Sequence, residues 1–136
     1  MTGARTPYTI ERAANRQPRE TDYRLVMPND AVVTYEQVDA DGLVIATLSG
    51  ELDLDRADAI RDSLAEVSAG GACRYLNVDV GEVTFIDSYA LGALVSARNT
   101  AASNGVSFTL ANPSQPVRKA IQVTGLNHVF GLPASS

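Results

Sequence analysis

The chain has 136 residues, 45% of them hydrophobic and 20% charged, and it carries a formal net charge of -5 at pH 7. These values are ordinary for one folded domain with a hydrophobic core. No apolar run approaches the roughly 18 residues that cross a bilayer, and the first residues lack the apolar core of a signal peptide. The single cysteine, Cys73, excludes an internal disulfide, and no histidine and cysteine cluster indicates a metal site. We therefore expect a cytoplasmic protein without metal or cofactor.

The charges are unevenly distributed along the chain. Residues 1–24 contain five arginines and three acids, residues 25–87 contain thirteen acids and three arginines, and residues 88–136 contain three basic residues and no acid. The acidic middle disfavours nucleic acid as the main partner and favours a basic protein surface. A merely solvated acidic face is the alternative interpretation.

The first elements of the predicted domain follow a polar segment. Residues 1–30 are rich in arginine, contain three prolines and show no sustained hydrophobic period, which predicts a flexible N-terminal tail. Residues 31–38 and 42–49 are predicted strands because they are apolar and rich in β-branched residues. The acidic residues 39–42 between them predict a hairpin connection.

The segment 53–68 has the period of an amphipathic helix. Its apolar residues fall on one stripe: Ala57, Ile60, Leu64 and Val67. Three aspartates crowd its start, where carboxylates cap free amides and oppose the positive end of the helix dipole: Asp53, Asp55 and Asp58. The glycines at positions 70 and 71 are expected to end it.

The rest of the chain alternates between strands and helices. The predicted elements are a strand at 74–80 with a continuation at 83–86, a helix at 88–104, a strand at 106–111 and a helix at 114–123. The order ββαβαβα predicts an α/β domain with a mixed sheet whose later strands are joined by right-handed crossovers.

The helix at 88–104 has an unusual polar face. Its predicted apolar stripe contains Leu91, Leu94, Val95 and Ala102, and Gly92 is expected to allow close backbone packing. The opposite face has small or weakly polar residues: Tyr89, Ala93, Ser96, Thr100 and Ser103. Arg98 is its one charge, whereas a surface helix normally carries a charged outer face. We expect this face to bind a partner; the alternative is that another element of the chain covers it.

Ser88 lies where the strand 83–86 ends and this helix begins. The position predicts an N-cap whose hydroxyl accepts an amide hydrogen bond, worth about 1 kcal/mol. Free amides and the helix dipole also favour an anion there, so a phosphate on Ser88 would be tolerated by the fold. Such a phosphate adds about -1.5 to -2 charge units beside Asp87, at the edge of the expected docking face. The hypothesis is a reversible switch of binding.

Three stretches resemble a known family. They are LSGELDLDRADAIRDSL at 48–64, VDVGEVTFIDSYALGALVSA at 78–97 and LANPSQPVRKAIQVTGLNHVF at 110–130. Together, with a G-E-L-D turn and a D-S-x-x-L-G turn, they resemble the STAS domain of anti-sigma factor antagonists. The resemblance implies a STAS-type domain at residues 31–132, followed by a short C-terminal tail at 133–136.

The family implies a small bacterial regulator of transcription that has no catalysis of its own. Such a protein binds an anti-sigma factor that is also a serine kinase, and this frees a sigma factor. The kinase phosphorylates the serine after the motif aspartate, here Ser88, which breaks the complex until a serine phosphatase restores it. Tyr89 and Ala90 depart from the family pattern of a small hydroxyl residue followed by glycine. The expected partner-binding residues are Asp53, Asp87, Tyr89, Ala93 and Ser96.

Two other interpretations compete with this one. A STAS module of another system, such as a stress-signalling scaffold or a transporter accessory subunit, would bind its partner constitutively. An enzyme would have to use Asp87, Ser88 and His128, yet the G-x-S-x-G elbow of serine hydrolases on α/β sheets is missing. His128 lies beside apolar residues and is interpreted as a packing or surface residue. Cys73 is expected to be partly buried and without a redox role.

Overall fold

The computed structural model describes residues 9–12, 23–26, 32–38 and 41–132. Within them the elements are β1 Thr9–Arg12, β2 Tyr23–Val26, β3 Val32–Gln37, β4 Leu43–Leu52, α1 Leu54–Ala69, β5 Tyr75–Ile86, α2 Ser88–Ser103, β6 Ser107–Ala111 and α3 Gln115–Thr124. From β3 onward this is the predicted order ββαβαβα. The α/β prediction is therefore confirmed.

The six strands form one mixed sheet in which the spatial order equals the chain order. The pairs β1–β2, β2–β3 and β3–β4 are antiparallel, whereas the pairs β4–β5 and β5–β6 are parallel. Each parallel step needs a crossover, and α1 and α2 supply the two crossovers. Because successive right-handed crossovers move in the same direction, both helices lie on one face of the sheet and pack against each other.

The N-terminal segment contains two strands that the sequence analysis did not anticipate. Strand β2 pairs with β3, with Val26 opposite Val32, and β1 pairs with β2. Strands of four residues are too short to show a period, and their surroundings are polar and contain prolines. For these eight residues the structure differs from the predicted tail. The other residues of 1–30, and the C-terminal tail 133–136, lie outside the described residues.

The core lies between the sheet and the helices. In the first part of each central strand every second residue is buried: Val44, Ala46 and Leu48 in β4, and Leu76, Val78 and Val80 in β5. From α1 the predicted stripe supplies Ala57, Ile60 and Leu64, while Val67 packs at the edge of the core. The period of this helix and its end at Gly70 are confirmed.

Two of the buried polar side chains of α1 make contacts that the sequence did not predict. The Arg56 side chain is buried under α1, where its guanidinium contacts the Asp53 carboxylate. The Ser63 hydroxyl is hydrogen-bonded to the Tyr35 hydroxyl, which links α1 to β3. The only sequence signal for the first pair is the spacing of three residues between an acid and a base.

Candidate functional site

The Asp87 side chain joins the first turns of two helices. Asp87 is the N-cap of α2, where its Oδ1 accepts a hydrogen bond from the Ala90 N–H at 2.8 Å. Its Oδ2 accepts a hydrogen bond from the N–H of Leu54, the first residue of α1, at 3.0 Å. The Asp87 N–H donates to the Leu52 carbonyl at 3.1 Å. One carboxylate therefore serves two helix N-termini and opposes the positive end of both dipoles.

Ser88 is the first residue of α2 and lies one position after the N-cap. The prediction that its hydroxyl caps the helix is therefore wrong, because Asp87 fills that role. The Ser88 side chain is exposed, and no residue in the described part of the chain is hydrogen-bonded to its hydroxyl. The hydroxyl is open to solvent and can react without the loss of a contact that stabilises the fold.

Large apolar side chains are exposed around this junction. Leu54, whose N–H binds Asp87, is 57% exposed, and Val123 on α3 is 76% exposed. Phe85 and Tyr89, which flank Asp87 and Ser88 in the chain, are about half exposed. Exposed apolar residues that gather at one place on a folded protein indicate an interaction site. We call Leu54, Phe85, Tyr89 and Val123 the apolar cluster.

Ser88 lines two grooves. The α1–α2 groove, of about 420 Å³, is also lined by Arg61, Tyr89, Gly92, Ala93 and Ser96. The α2–α3 groove, of about 340 Å³, is lined mainly by apolar side chains, among them Phe85, Leu91, Pro116 and Val123, together with Lys119. A modification of Ser88 would therefore change both grooves at once.

The charges on the two sides of Ser88 differ in sign. The exposed side of α1 carries Asp55, Asp58 and Asp62. Arg61 lies among them, 3.2 Å from Asp58 and 3.0 Å from Asp62, and the hydrogen bond that its Nε donates to the Asp62 carboxylate raises the pKa of Arg61. On α3 the exposed charged residues are Arg118 and Lys119. The junction thus separates an acidic surface from a basic one.

The predicted outer face of α2 is only partly exposed. Tyr89 is exposed and Ser96 is half-buried, and both line the α1–α2 groove. Ala93 is buried because α1 lies alongside, so the expectation that it is exposed is wrong, although it contributes to the groove wall. The alternative that another element covers this face is correct at Ala93.

Two predictions for the packing of α2 are also corrected. Gly92 does not allow a close helix contact: it is exposed, and a Cβ placed on it would meet no atom within 4 Å. Ala102, predicted on the apolar stripe, is exposed, whereas Ala97 and Ala101 are buried. The buried stripe is wider than predicted because α2 contacts both the sheet and α1.

Asp53 lies at the same end of the domain as Asp87. It is the N-cap of α1, and its Oδ1 accepts a hydrogen bond from the Asp55 N–H at 3.1 Å in addition to contacting Arg56. Since Asp53 immediately precedes Leu54, the hydrogen bond between Leu54 and Asp87 brings the two aspartates together. Four of the expected site residues, Asp53, Asp87, Ser88 and Tyr89, are thus close in space, and Ser96 lies about two turns further along α2.

The remaining chemical candidates lie apart from this junction. His128 is exposed and lines neither groove, and Cys73 is buried, which raises the pKa of its thiol. In the described ranges no three or more histidine, cysteine or acidic residues are grouped so that they could hold a metal ion. The helices described here are also too short or too polar to span a membrane. The junction is an exposed surface at which the Ser88 hydroxyl is available.

A family model of the STAS domain matches residues 32–136. The chain belongs to the STAS domain family. The match begins with β3 and includes both grooves and the apolar cluster. The site that Asp87 and Ser88 form is therefore part of the STAS domain itself.

Relatives of this STAS domain include named antagonists. The anti-sigma-B factor antagonist of Bacillus subtilis is 28% identical over 89 residues, which are 65% of this chain and 80% of that protein. A STAS-domain containing protein of Pseudomonas aeruginosa is 30% identical over 100 residues, which are 74% of this chain and 96% of that protein. The family resemblance found in the three sequence stretches is confirmed. This STAS domain belongs to a family of binding proteins and is not an enzyme.

A solved STAS domain shares the fold. The anti-sigma factor antagonist SpoIIAA in its unphosphorylated form superposes with a TM-score of 0.61 at 27% identity, over 71% of this chain and 83% of that chain. The Bacillus cell fate determinant SpoIIAA in its phosphorylated form gives a TM-score of 0.57 at 26% identity, over 71% of this chain and 86% of that chain. SpoIIAA is therefore known in both phosphorylation states.

Proposed function

We propose that this protein is an anti-sigma factor antagonist that works by partner switching. In its unmodified form it binds an anti-sigma factor that is also a serine kinase, and this frees a sigma factor for transcription. The kinase phosphorylates Ser88, which releases the partner, and a serine phosphatase resets the protein. The proposed contact surface consists of Asp53, Asp87, Tyr89, Ala93 and Ser96 around the acceptor serine.

The observation that carries the proposal is the division of roles between Asp87 and Ser88. Asp87 makes the capping hydrogen bonds, whereas the Ser88 hydroxyl is exposed and makes none within the described residues. Structure and modification therefore depend on different side chains. A phosphate on Ser88 would lie at a helix N-terminus, where free amides favour an anion, so the domain would stay folded.

The surroundings of Ser88 explain how a phosphate would affect binding. The hydroxyl lies on the wall of both grooves and next to Tyr89, an exposed aromatic side chain of the kind that dominates interface energies. A phosphate would add about -1.5 to -2 charge units in the middle of this surface. Couplings of 1–3 kcal/mol, or about 5–150-fold in affinity, are sufficient for regulation.

The acidic side of α1 supports a basic surface on the partner. Asp55, Asp58 and Asp62 are exposed there, and Asp58 and Asp62 both form ion pairs with the same residue, Arg61. A partner with basic residues opposite α1 would gain association rate and orientation from this charge.

A constitutive STAS module of another system is the second candidate. Tyr89 favours it, because this large side chain lies beside Ser88 in the α1–α2 groove, where the family pattern has a small hydroxyl residue. A kinase would have to reach Ser88 past Tyr89. In this case the same surface would bind a scaffold or a transporter subunit without a switch.

The two candidates differ in what the protein binds and in whether Ser88 controls binding. The tagged protein is purified from its host with its partner, and the partner is then titrated with wild type, Ser88→Ala and Ser88→Asp. Partner switching requires an ATP-binding kinase as partner, wild-type affinity for Ser88→Ala and 5–150-fold weaker binding for Ser88→Asp. The control is Ser107→Asp, which adds the same negative charge at an exposed serine at the start of β6, outside both grooves. A transporter subunit as partner, or equal binding by both Ser88 variants, would contradict the proposal.

A further inference from the structure

The α2–α3 groove has an apolar lining and one cation. Phe85 and Val123 are two of its exposed apolar residues, and Lys119 is the only charged residue among the described residues that line it. Its volume of about 340 Å³ is at the small end of ligand pockets, and it is open to solvent between two helices. An open groove between helices is suited to the apolar side chains of a protein segment rather than to an enclosed small molecule.

The charges around this groove favour an acidic occupant. From Ser88 to the end of the sequence there is no Asp or Glu, and Arg118 lies next to Lys119 on α3. Two acids of other elements are neighbours of groove residues. Glu51 is the register partner of Phe85, and Asp87, which precedes Ser88 in the chain, accepts hydrogen bonds from two backbone amides.

We infer that the α2–α3 groove binds an acidic amphipathic segment of a protein partner. Apolar side chains of the segment enter between Phe85 and Val123, and one of its carboxylates pairs with Lys119. The helix-in-groove mode provides the geometry, and the unlike charges provide the orientation. This site is separate from the acidic surface of α1, which attracts basic groups.

Together, the acidic surface of α1 and the α2–α3 groove would fix the orientation of the partner in the proposed switch. Its basic residues would face α1 and its acidic segment would face α3, so that it could bind in one orientation only. Resting on the proposed function, the inference also explains release: a phosphate on Ser88 would stand on the groove wall, repel the acidic segment and compete with it for Lys119.

Two synthetic peptides test the groove directly. They share the same apolar residues at helical spacing and differ only in their flanking charges, which are glutamates in one and lysines in the other. Each is titrated into unmodified ¹⁵N-labelled full-length protein, with affinities measured by fluorescence anisotropy. We expect the acidic peptide to bind at least about tenfold tighter, with shifted amide signals at Phe85, Lys119 and Val123.

Matched variants separate the groove from general charge and hydrophobicity. Lys119→Glu should abolish the preference for the acidic peptide, whereas Arg118→Glu, the same charge change outside the groove wall, should largely keep it. Val123→Ser should weaken binding, and Val38→Ser, which removes an exposed valine before the β3–β4 turn, should not. All four side chains are exposed, so the fold should be preserved; thermal unfolding verifies this.

Several outcomes would overturn the inference. The first is that the acidic peptide does not bind at a concentration of about 1 mM, which corresponds to a very weak affinity. The second is equal binding of both peptides, and the third is an equal effect of Lys119→Glu and Arg118→Glu. The fourth is that these amide signals shift with protein concentration in the absence of peptide, which would indicate a second copy of the chain in the groove. Because the peptides are tested on unmodified protein, a failure here leaves the Ser88 switch intact. Conversely, a groove that binds the acidic peptide, together with a Ser88 that never carries phosphate, would refute the switch alone.

Discussion

The Asp87 carboxylate lies 3.0 Å from the backbone nitrogen of Leu54, and this hydrogen bond ties the start of α1 to the start of α2. The two residues are far apart in the sequence, yet each belongs to one of the motifs that resemble the family. The contact joins the G-E-L-D turn to the D-S turn and places the backbone of Leu54, whose side chain is exposed, next to Asp87.

Removal of the Asp87 carboxylate should destabilise the domain. Asp87→Ala loses a capping bond at each of two helices, and we expect a decrease of about 2–3 kcal/mol in the free energy of unfolding. Asp87→Asn should lose about half as much, because an amide has only one acceptor oxygen for the two N–H groups. Urea denaturation of both variants measures these values. Unfolding free energies equal to that of wild type would show that the two hydrogen bonds contribute nothing.

Ser88 should be nearly neutral for stability. Because the hydroxyl is exposed and is not the helix cap, we expect Ser88→Ala to change the free energy of unfolding by less than about 0.5 kcal/mol. Ser88→Asp should be equally well tolerated, since an acid in the first turn is favourable to the helix dipole. The same urea titration tests both, with Asp87→Ala as the positive control. If Ser88→Ala lowered the free energy of unfolding by more than about 1 kcal/mol, which is the typical contribution of an N-cap side chain, the serine would have a capping role after all.

Gly92 offers a variant in which stability and binding should change in opposite directions. It lies inside α2 with open space around it, so Gly92→Ala should raise the free energy of unfolding by about 0.5–1 kcal/mol. The added methyl group projects into the α1–α2 groove and should weaken partner binding. Ala102→Gly, on the exposed side of the same helix and outside both grooves, should lower stability and leave binding unchanged. Unchanged binding by Gly92→Ala would remove this groove from the contact surface.

The pair of Asp53 and the buried Arg56 should contribute strongly to folding. Asp53→Ala leaves a buried guanidinium without this carboxylate and removes the cap of α1, so we expect a loss of about 3–5 kcal/mol. Asp55→Ala removes an exposed acid from the same turn and should cost much less. Replacing both members, as in Asp53→Asn with Arg56→Met, should recover part of the loss because the buried charge is gone. A single Asp53→Ala variant as stable as Asp55→Ala would contradict this interpretation.

Much of the fold follows from periodicity. The sequence predicts the stripe of α1 and the glycines after the helices, because burial and positive φ angles, as at Gly71, Gly105 and Gly125, favour particular residue types. Strands β1 and β2 could not be found in this way, since four residues carry too little of the pattern and their pairing depends on the edge that β3 offers.

The sequence indicates that a helix begins at the D-S junction but not which residue caps it. Either residue suits an N-cap, and only the location of the Leu54 and Ala90 amides assigns that role to Asp87. The burial of Ala93 and the open space at Gly92 depend on how α1 lies against α2, which is a property of the packed structure.

The central claim is that Ser88 carries a reversible phosphate while Asp87 maintains the fold. Intact-mass analysis of the protein from its own host, with peptide mapping and a phosphatase-treated control, tests this claim most directly. We expect a fraction of the protein to carry one phosphate, mapped to Ser88 and removed by the phosphatase. A Ser88 that stays unmodified under several growth conditions would contradict the switch and leave a constitutive STAS binding module.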